Sequence, residues 1–458
     1  MAFDDAEIKG RPLGQNKLLR ILGVTFGLAV AIGGTIGIGI LRMPGVVAAQ
    51  LETSGLIIMV WTAVGLYAFV GANSYAELGT MLPLTGGPYV YARRTYGDFG
   101  GFLVGWSDWL ERTCSIAYLA MALSEYSATL LAFPASLVTP IAITVLILFT
   151  ALHWLGLRIG SRTQEIMSLF KVLVFFVIIA SCFLFHHRAE LASAPPPQTH
   201  LGNPILLFVA IGLALQNVVG TYSGWNCPVY FAEENTNPTK TIPRSLFTGV
   251  ALVMAIYVLF NLAMLHALPV SQLAGSRLAA ADAAQAIFGG HSSQFISLVA
   301  LISLLGIINA SFLLTPRILF ALSRDGLIAS SCARVNTGGT PTVALFVTSA
   351  SAILLAAVGT FEKLFALTAF LYVLIEAAIY ATLFVLRRKE PDLPRPFRAW
   401  GYPFLPALAL AGAILLLISF IISNTLNSLY ALIGMATSYP LYLFAKRRLQ
   451  NHTPKHLL

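Results

Sequence analysis

Long apolar runs alternate with short polar stretches along almost the whole chain, and the charged residues gather in the short stretches. A bilayer core needs about 20 apolar residues per helix, and about twelve runs meet or approach that length. They cover residues 18–47, 55–78, 101–131, 135–155, 164–185, 204–231, 246–265, 293–320, 342–358, 365–386, 403–422 and 428–444. The pattern predicts an all-α polytopic membrane protein. Two runs are interrupted. The first contains Ile32-Gly33-Gly34-Thr35-Ile36-Gly37-Ile38-Gly39-Ile40, with four glycines in seven residues. The sixth contains Gly220-Thr221-Tyr222-Ser223-Gly224-Trp225, followed closely by Cys227-Pro228. Each interrupted run opens a group of five, and the last two runs stand apart. The expected organisation is a tail at residues 1–17, halves at 18–186 and 203–386, a helix pair at 403–445 and a tail at 446–458.

The glycines in the first run have two readings. Gly33 and Gly37 form a G-x-x-x-G pair, a pattern for close helix packing in membranes. Packing alone does not ask for Gly34 and Gly39 as well. In hydrocarbon, broken backbone is tolerated only where protein or a polar cavity satisfies it. The second reading is therefore an unwound helix whose bare amides and carbonyls face a small solute. Two Gly-interrupted segments in corresponding places of two halves point to a midplane site in an inverted repeat. Helix ends at such breaks present positive N-termini and negative C-termini. A carboxylate and an ammonium can be held together there without a charged side chain.

Composition supports the membrane reading. The chain is 57% hydrophobic and 10% charged, with mean hydropathy +0.80, against about 25% charge in soluble domains. The net charge of +9 does not point to nucleic acid, because of where it lies. With twelve spans and the N-terminus inside, 21 of the 28 Lys and Arg fall in cytoplasmic tails and loops. Only Arg188, Arg277 and Lys363 fall outside. This bias is the positive-inside rule, and it predicts both termini in the cytoplasm of a multi-pass protein of the cell membrane. No cleavable signal peptide is expected, since the first 17 residues are polar and no short apolar core with a cleavage site follows. Cys114, Cys182, Cys227 and Cys332 have neither metal-ligand nor disulfide spacing and read as structural. No cofactor or metal is expected.

Two acidic, Pro-marked loops occupy matching places in the two halves. One follows Glu77 and reads Pro83-Leu84-Thr85-Gly86-Gly87-Pro88-Tyr89-Val90-Tyr91; the other reads Glu233-Glu234-Asn235-Thr236-Asn237-Pro238 and continues to Pro243-Arg244. They serve either as helix caps or as salt-bridge partners of basic loops that close an inner gate. These loops, the two breaks, Asn309 with Arg317, and the Arg388…Pro391-Asp392…Arg395-Pro396 loop occur in family order over nearly the whole chain. Together they resemble the amino acid–polyamine–organocation transporter superfamily, in its branch of L-type and serine/threonine-exchanger permeases. The resemblance implies the leucine-transporter-type fold, with helices 1–5 and 6–10 inverted and two helices added. It implies that amides of Gly37, Ile38 and Gly39 hold the substrate carboxylate, and that carbonyls of Thr35, Gly220 and Ser223 hold its α-ammonium. Thr221 and Tyr222 complete the substrate-binding set. One departure is Gly220, where the family usually carries an aromatic gate. Either Tyr222 or another aromatic takes over the lid, or the pocket is larger.

Lys171 lies near the middle of the fifth run, where a lysine costs about 3 kcal/mol on insertion scales. Snorkelling is disfavoured by its distance from both ends. By resemblance its ammonium replaces the sodium ion of coupled relatives and bridges the first helix's broken end to the eighth helix, with Ser311 as partner. In the third run Asp108 and Arg112, at i and i+4, can pair, whereas adjacent Glu111 and Arg112 point about 100° apart. The three form either a structural salt bridge or a proton site. Glu125 and Glu376 are further proton-site candidates. Arg42 is expected at the outer interface.

The sequence thus predicts a sodium-independent secondary transporter, an exchanger or proton-linked permease, for neutral L-amino acids. A cationic amino acid or polyamine is the alternative substrate, and it asks for acidic side chains in the pocket. No G-x-x-x-x-G-K-[ST] phosphate loop argues for an ATP-driven pump. An intramembrane enzyme lacks a catalytic cluster, since His153 and His266 stand isolated near run ends. A channel would show flux without saturation. Eukaryotic L-type relatives bond a single-span partner through a cysteine in the third external connection. Here residues 133–139 hold none, so no disulfide-linked partner is expected. The expected partners are the small amino acid and the lipid bilayer.

Overall fold

The computed structural model describes residues 18–184, 203–274, 276, 278–289 and 292–452. The polar N-terminal tail, residues 186–200 with their triple proline, Arg188 and Arg277 lie outside the described residues. Among the described residues the secondary structure is helical, with two isolated β-bridges, Leu22 to Asn235 and Val335 to Pro341.

The first run is two helices, α1 (Val24–Thr35) and α2 (Ile38–Leu51), bent by 41° at the break. Then come α3 (Ser54–Met81), α4 (Pro88–Leu131), α5 (Val138–Trp154) and α6 (Leu157–Leu184). The second group opens with α7 (Pro204–Tyr222), a turn, and a 3-10 helix over Cys227–Glu234. It continues with α8 (Pro238–Ala267), the short α9 (Val270–Ala274) and α10 (Ala279–Phe288), α11 (Ser292–Arg324), α12 (Thr342–Val358) and α13 (Phe361–Lys389). The last pair is α14 (Phe404–Ser423) and α15 (Thr425–Ala436), the latter running on into α16 (Ser438–His452).

Among the described residues nine helical stretches are long and apolar enough to cross a membrane, and the bent pair α1–α2 makes ten. The other two predicted spans are α12, which has only 17 residues, and α4, which has 44. Asp108, Glu111 and Arg112 lower the apolarity of α4, and all three are buried. That is how a membrane helix carries charge, facing the bundle interior. The polar residues before the apolar runs also join the helices. Asn237 caps α8 by accepting from the Lys240 N–H, with Pro238 at the first turn. As a result α8 starts eight residues before the apolar run at 246.

α3 packs on α8, α4 on α11 and α13, α2 on α7, and α1 on the 3-10 helix Cys227–Glu234 and on α8. Small residues allow the closest crossing: a Cβ on Gly27 of α1 would strike the Ser245 side chain, and one on Gly249 of α8 would lie 2.8 Å from Ala31 Cβ. Large exposed apolar side chains such as Leu148, Leu169, Leu173, Leu415 and Ile422 sit on the outward faces of α5, α6 and α14, as lipid contact requires.

Candidate functional site

The site is built from the two breaks. α1 closes with the Ile36 N–H donating to Ile32 O, and Ile36 and Gly37 are extended. α2 begins at Ile38 with no side-chain cap. The first four N–H groups of a helix have no intrahelical acceptor. The amides around Gly37, Ile38 and Gly39 therefore form an uncapped, positive end inside the bundle. In α7 the helix ends at Tyr222, and Gly224 adopts φ +106°, a conformation that favours glycine. A Cβ on Gly224 would strike the Gly34 backbone. The two breaks touch each other there.

One cavity lies between them. It is lined by Gly34, Thr35, Gly37, Ile38 and Gly39 from the first break, and by Gly220, Thr221 and Ser223 from the second. Arg42 and Met43 of α2, Glu111, Arg112, Ser115, Tyr118 and Leu119 of α4, Ile307 and Ser311 of α11, and Phe365 of α13 complete it. The glycines divide between helix packing and the cavity. Gly33 faces α6, where a Cβ would strike Gln164 and Ser168. Gly34, Gly37 and Gly39 face the cavity.

The lining corrects the expectations for Tyr222 and Arg42 and decides two points left open, the aromatic opposite Gly220 and the place of Glu111. Tyr222 does not line the cavity. It is buried behind the break, donates its hydroxyl to Trp61 O at 3.1 Å, and packs on Tyr257. It is the last residue of α7, so its side chain follows the helix face turned towards α3. The aromatic opposite Gly220 is Phe365 of α13, whose Cζ would lie 3.4 Å from an added Cβ, and Phe365 packs on Tyr118. Arg42 lines the cavity and is not confined to the outer interface. Glu111 also lines it, although sequence alone gave no means of placing it there.

Lys171 is buried, and its Nζ donates to Gly33 O at 3.1 Å and Ile36 O at 2.8 Å. These carbonyls end α1, and a buried acceptor left bare costs about 1–3 kcal/mol. Ser311 is not a partner of this ammonium. The α11 residue beside it is Gly306, whose added Cβ would lie 2.8 Å from Nζ. Ser311 is five residues further on, well round the helix, and faces the cavity instead.

On α4, Arg112 Nε lies 3.5 Å from Asp108 and 3.1 Å from Glu111. The expected i,i+4 pair is present. The adjacent pair is present too, because the long side chains curl round the helix despite their diverging Cβ directions. Tyr230 donates to Asp108 at 2.8 Å, and Arg112 Nη2 donates to Asn226 Oδ1 at 3.2 Å. Asn226 in turn donates to Glu376 at 3.1 Å, and Glu376 also accepts from Tyr75 and Tyr380. Sequence reasoning had no partner for Glu376. The signal was there in Asn226, a polar residue inside the second break.

At the end carrying the basic loops, the acidic loops are paired. Glu234 accepts from Arg317 at 3.0 and 3.2 Å, and both are buried. Glu233 pairs with Arg324 at 2.6 Å. Glu77, fully buried, accepts from Arg387 at 2.5 and 2.9 Å, lies 3.2 Å from Arg395, and accepts the Ala399 N–H. Arg93 pairs with Asp325 and Arg94 with Glu390. The chain ahead of α1 is also tied here: Leu22 exchanges backbone bonds with Glu234 and Thr236, and Arg20 donates to Asn235 O. The cavity lies on the opposite side of the breaks, towards Met43 and the first turns of α13. The four cysteines are buried and free, and burial raises the Cys332 thiol pKa in its loop.

Two broken helices around a cavity in a multi-span helical membrane protein suit a transport site, and the chain's family and relatives are transporters, not enzymes. The chain belongs to the amino acid permease family, whose description matches residues 22–444. It is 28% identical to the serine/threonine exchanger SteT of Bacillus subtilis over 94% of this chain and 98% of the relative. It is 27% identical to the b(0,+)-type amino acid transporter 1 of Mus musculus, over 99% of this chain and 95% of the relative. It is 30% identical to the large neutral amino acids transporter small subunit 2 of Homo sapiens, over 83% and 72% respectively.

Proposed function

We propose that this chain is a sodium-independent exchanger of neutral L-amino acids that works by alternating access around its two breaks. The names of its relatives support amino acid transport, and that of the serine/threonine exchanger supports exchange. The observation that carries the sodium independence is Lys171, a fixed cation bonded to two carbonyls at the end of α1. The substrate carboxylate takes the amides of Gly37, Ile38 and Gly39. The ammonium takes carbonyls of Thr35 and Ser223, with Gly220 O more occupied because it already accepts the Ser223 N–H and hydroxyl. Thr221 and Ser311 flank the substrate, while Phe365, Tyr118 and Ile307 give its side chain an apolar wall. A cationic substrate is disfavoured because the Glu111 carboxylate is paired with Arg112.

Residues 18–186 and 203–386 act as inverted halves, a reading supported by the packing of α3 on α8 and α4 on α11. The basic end is cytoplasmic, with both termini there and the protein in the cell membrane, as the loop charges suggest. No disulfide-linked partner is invoked, since residues 133–139 hold no cysteine.

Purified protein in liposomes tests the reading. Uptake of labelled amino acid should saturate, rise when the vesicles are preloaded with an unlabelled neutral amino acid, and persist when choline replaces sodium. Strict sodium dependence, or flux indifferent to preloading and driven by a proton gradient alone, would overturn it. Reporter fusions at both ends should report the cytoplasm.

A further inference from the structure

Tyr257 of α8 stands outside every motif considered above. Its hydroxyl lies 2.9 Å from Thr35 O and 3.1 Å from Thr221 O. Thr35 is the last residue of α1, and Thr221 is the last but one of α7. One side chain therefore touches the carbonyl ends of both broken helices. Lys171 serves only the first break. Two carbonyl oxygens converging on one point repel each other unless a donor lies between them. Tyr257 is fully buried, and its ring is fixed edge-on against Trp61 at 5.5 Å and Tyr222 at 4.8 Å. The ring packing makes the hydroxyl a rigid donor at that point.

We propose that Tyr257 is a positioning residue for the substrate's α-ammonium, setting the Thr35 and Thr221 carbonyls relative to each other across the two breaks. This rests on the transport reading above. A phenol has one proton. At any moment it donates to one of these carbonyls and leaves the other its lone pairs. Thr35 and Thr221 both line the cavity. An ammonium that engages Thr35 O sends the Tyr257 proton to Thr221 O, so substrate binding and the junction of the two breaks are linked through one hydroxyl. Without the hydroxyl the two carbonyls separate, and the ammonium loses its prepared acceptor. The carboxylate's amide site, on the far side of the first break, is untouched.

The test compares inhibition of uptake by L-serine and by L-leucine, each against the α-hydroxy acid with the same side chain, which lacks the ammonium. The proteins are wild type and Tyr257→Phe, a change that keeps the ring packing and removes one oxygen. Wild type should favour each amino acid over its hydroxy acid, and in the variant that preference should fall about tenfold, the scale of one lost buried hydrogen bond. A loss of stability alone would lower the amount of folded protein and leave the preference where it was. A folded variant with an unchanged or increased preference overturns the proposal. Should Tyr257→Phe fail to accumulate, 3-fluorotyrosine at position 257 keeps the packing and changes the strength of the donor. The preference must then shift, and a constant value overturns the proposal equally. Wild-type protein that binds neither amino acid sinks the transport reading and this proposal with it, whereas wild-type discrimination with an unaltered variant sinks this proposal alone.

Discussion

At the scale of the residue, Gly39 shows why a bare backbone is needed. A Cβ there would lie 2.9 Å from Thr221 Cγ2 and 3.0 Å from its Oγ1. Any side chain closes the gap between the two breaks where the amides are offered. Gly39→Leu should therefore abolish substrate binding, while the surrounding helices, which make their contacts elsewhere, still insert and fold. Normal uptake by a variant that expresses and purifies like wild type would remove this residue from the site. The glycines were legible in sequence because their density has no purpose in an ordinary helix. The direction of a single side chain was not. Tyr222 ends α7 and points where its last turn leaves it, whereas Ser311 lies mid-way along α11 and points where the helix phase puts it. Tyr222 turns to Trp61 O and Ser311 turns to the cavity, leaving Gly306 beside Lys171. Tyr257 was invisible for the complementary reason. It sits in an unbroken apolar run, and only the folded chain brings it to both breaks.

At the scale of the element, the broken helix α1–α2 depends on donors from its neighbours. Gly33 O and Ile36 O bond Lys171 of α6, Thr35 O bonds Tyr257 of α8, and Gln164 and Ser168 of α6 donate to Ala29 O. The first half of the helix is thus fastened to α6 and α8, and it moves only if those bonds exchange. Lys171→Ala leaves two buried carbonyls unpaired, at a cost of about 1–3 kcal/mol each. Such a cost is enough to shift an equilibrium between two transporter states by roughly ten- to a hundredfold. Turnover should fall by about that factor, with a smaller loss of affinity, because the ammonium touches the helix and does not line the cavity. An unimpaired variant in sodium-free medium would contradict this. The apolar middles of the long helices were legible because apolar length is the dominant signal in a membrane, whereas the polar first turns of α4 and α8 were not. α9 and α10 were not, since an amphipathic ten-residue helix such as α10 carries no signal of that kind.

At the scale of the molecule, the ion pairs and the cavity lie on opposite sides of the breaks. At the basic end Arg387 and Arg395 tie Glu77 of the first half to the end of α13 and the loop after it, while Arg317 with Glu234 and Arg324 with Glu233 join α11 to the second broken run. The acidic loops suggested such pairs in sequence, but not which arginine each would find. Glu234 is the pair to test, for three reasons. It sits at the end of the 3-10 helix that continues the second broken run, and its backbone carbonyl also accepts from Leu22 ahead of the first. Both partners are buried, so removing the charge on one leaves the other uncompensated, at about 3–5 kcal/mol. The Arg317 guanidinium also lies over the Phe231 ring at 5.3 Å, so it stays in place when its partner is lost. Glu234→Gln should therefore open the basic end and depopulate the state described here. The readout is a cysteine at position 311, on the cavity wall, in a chain whose four native cysteines are replaced by alanine. In the otherwise unaltered chain, an impermeant thiol reagent should reach it from the side opposite the basic loops. With Glu234→Gln, labelling from the basic side should rise about tenfold or more and labelling from the other side should fall. Equal labelling of both proteins from the basic side would mean that Glu234 and Arg317 hold the fold together without gating the cavity.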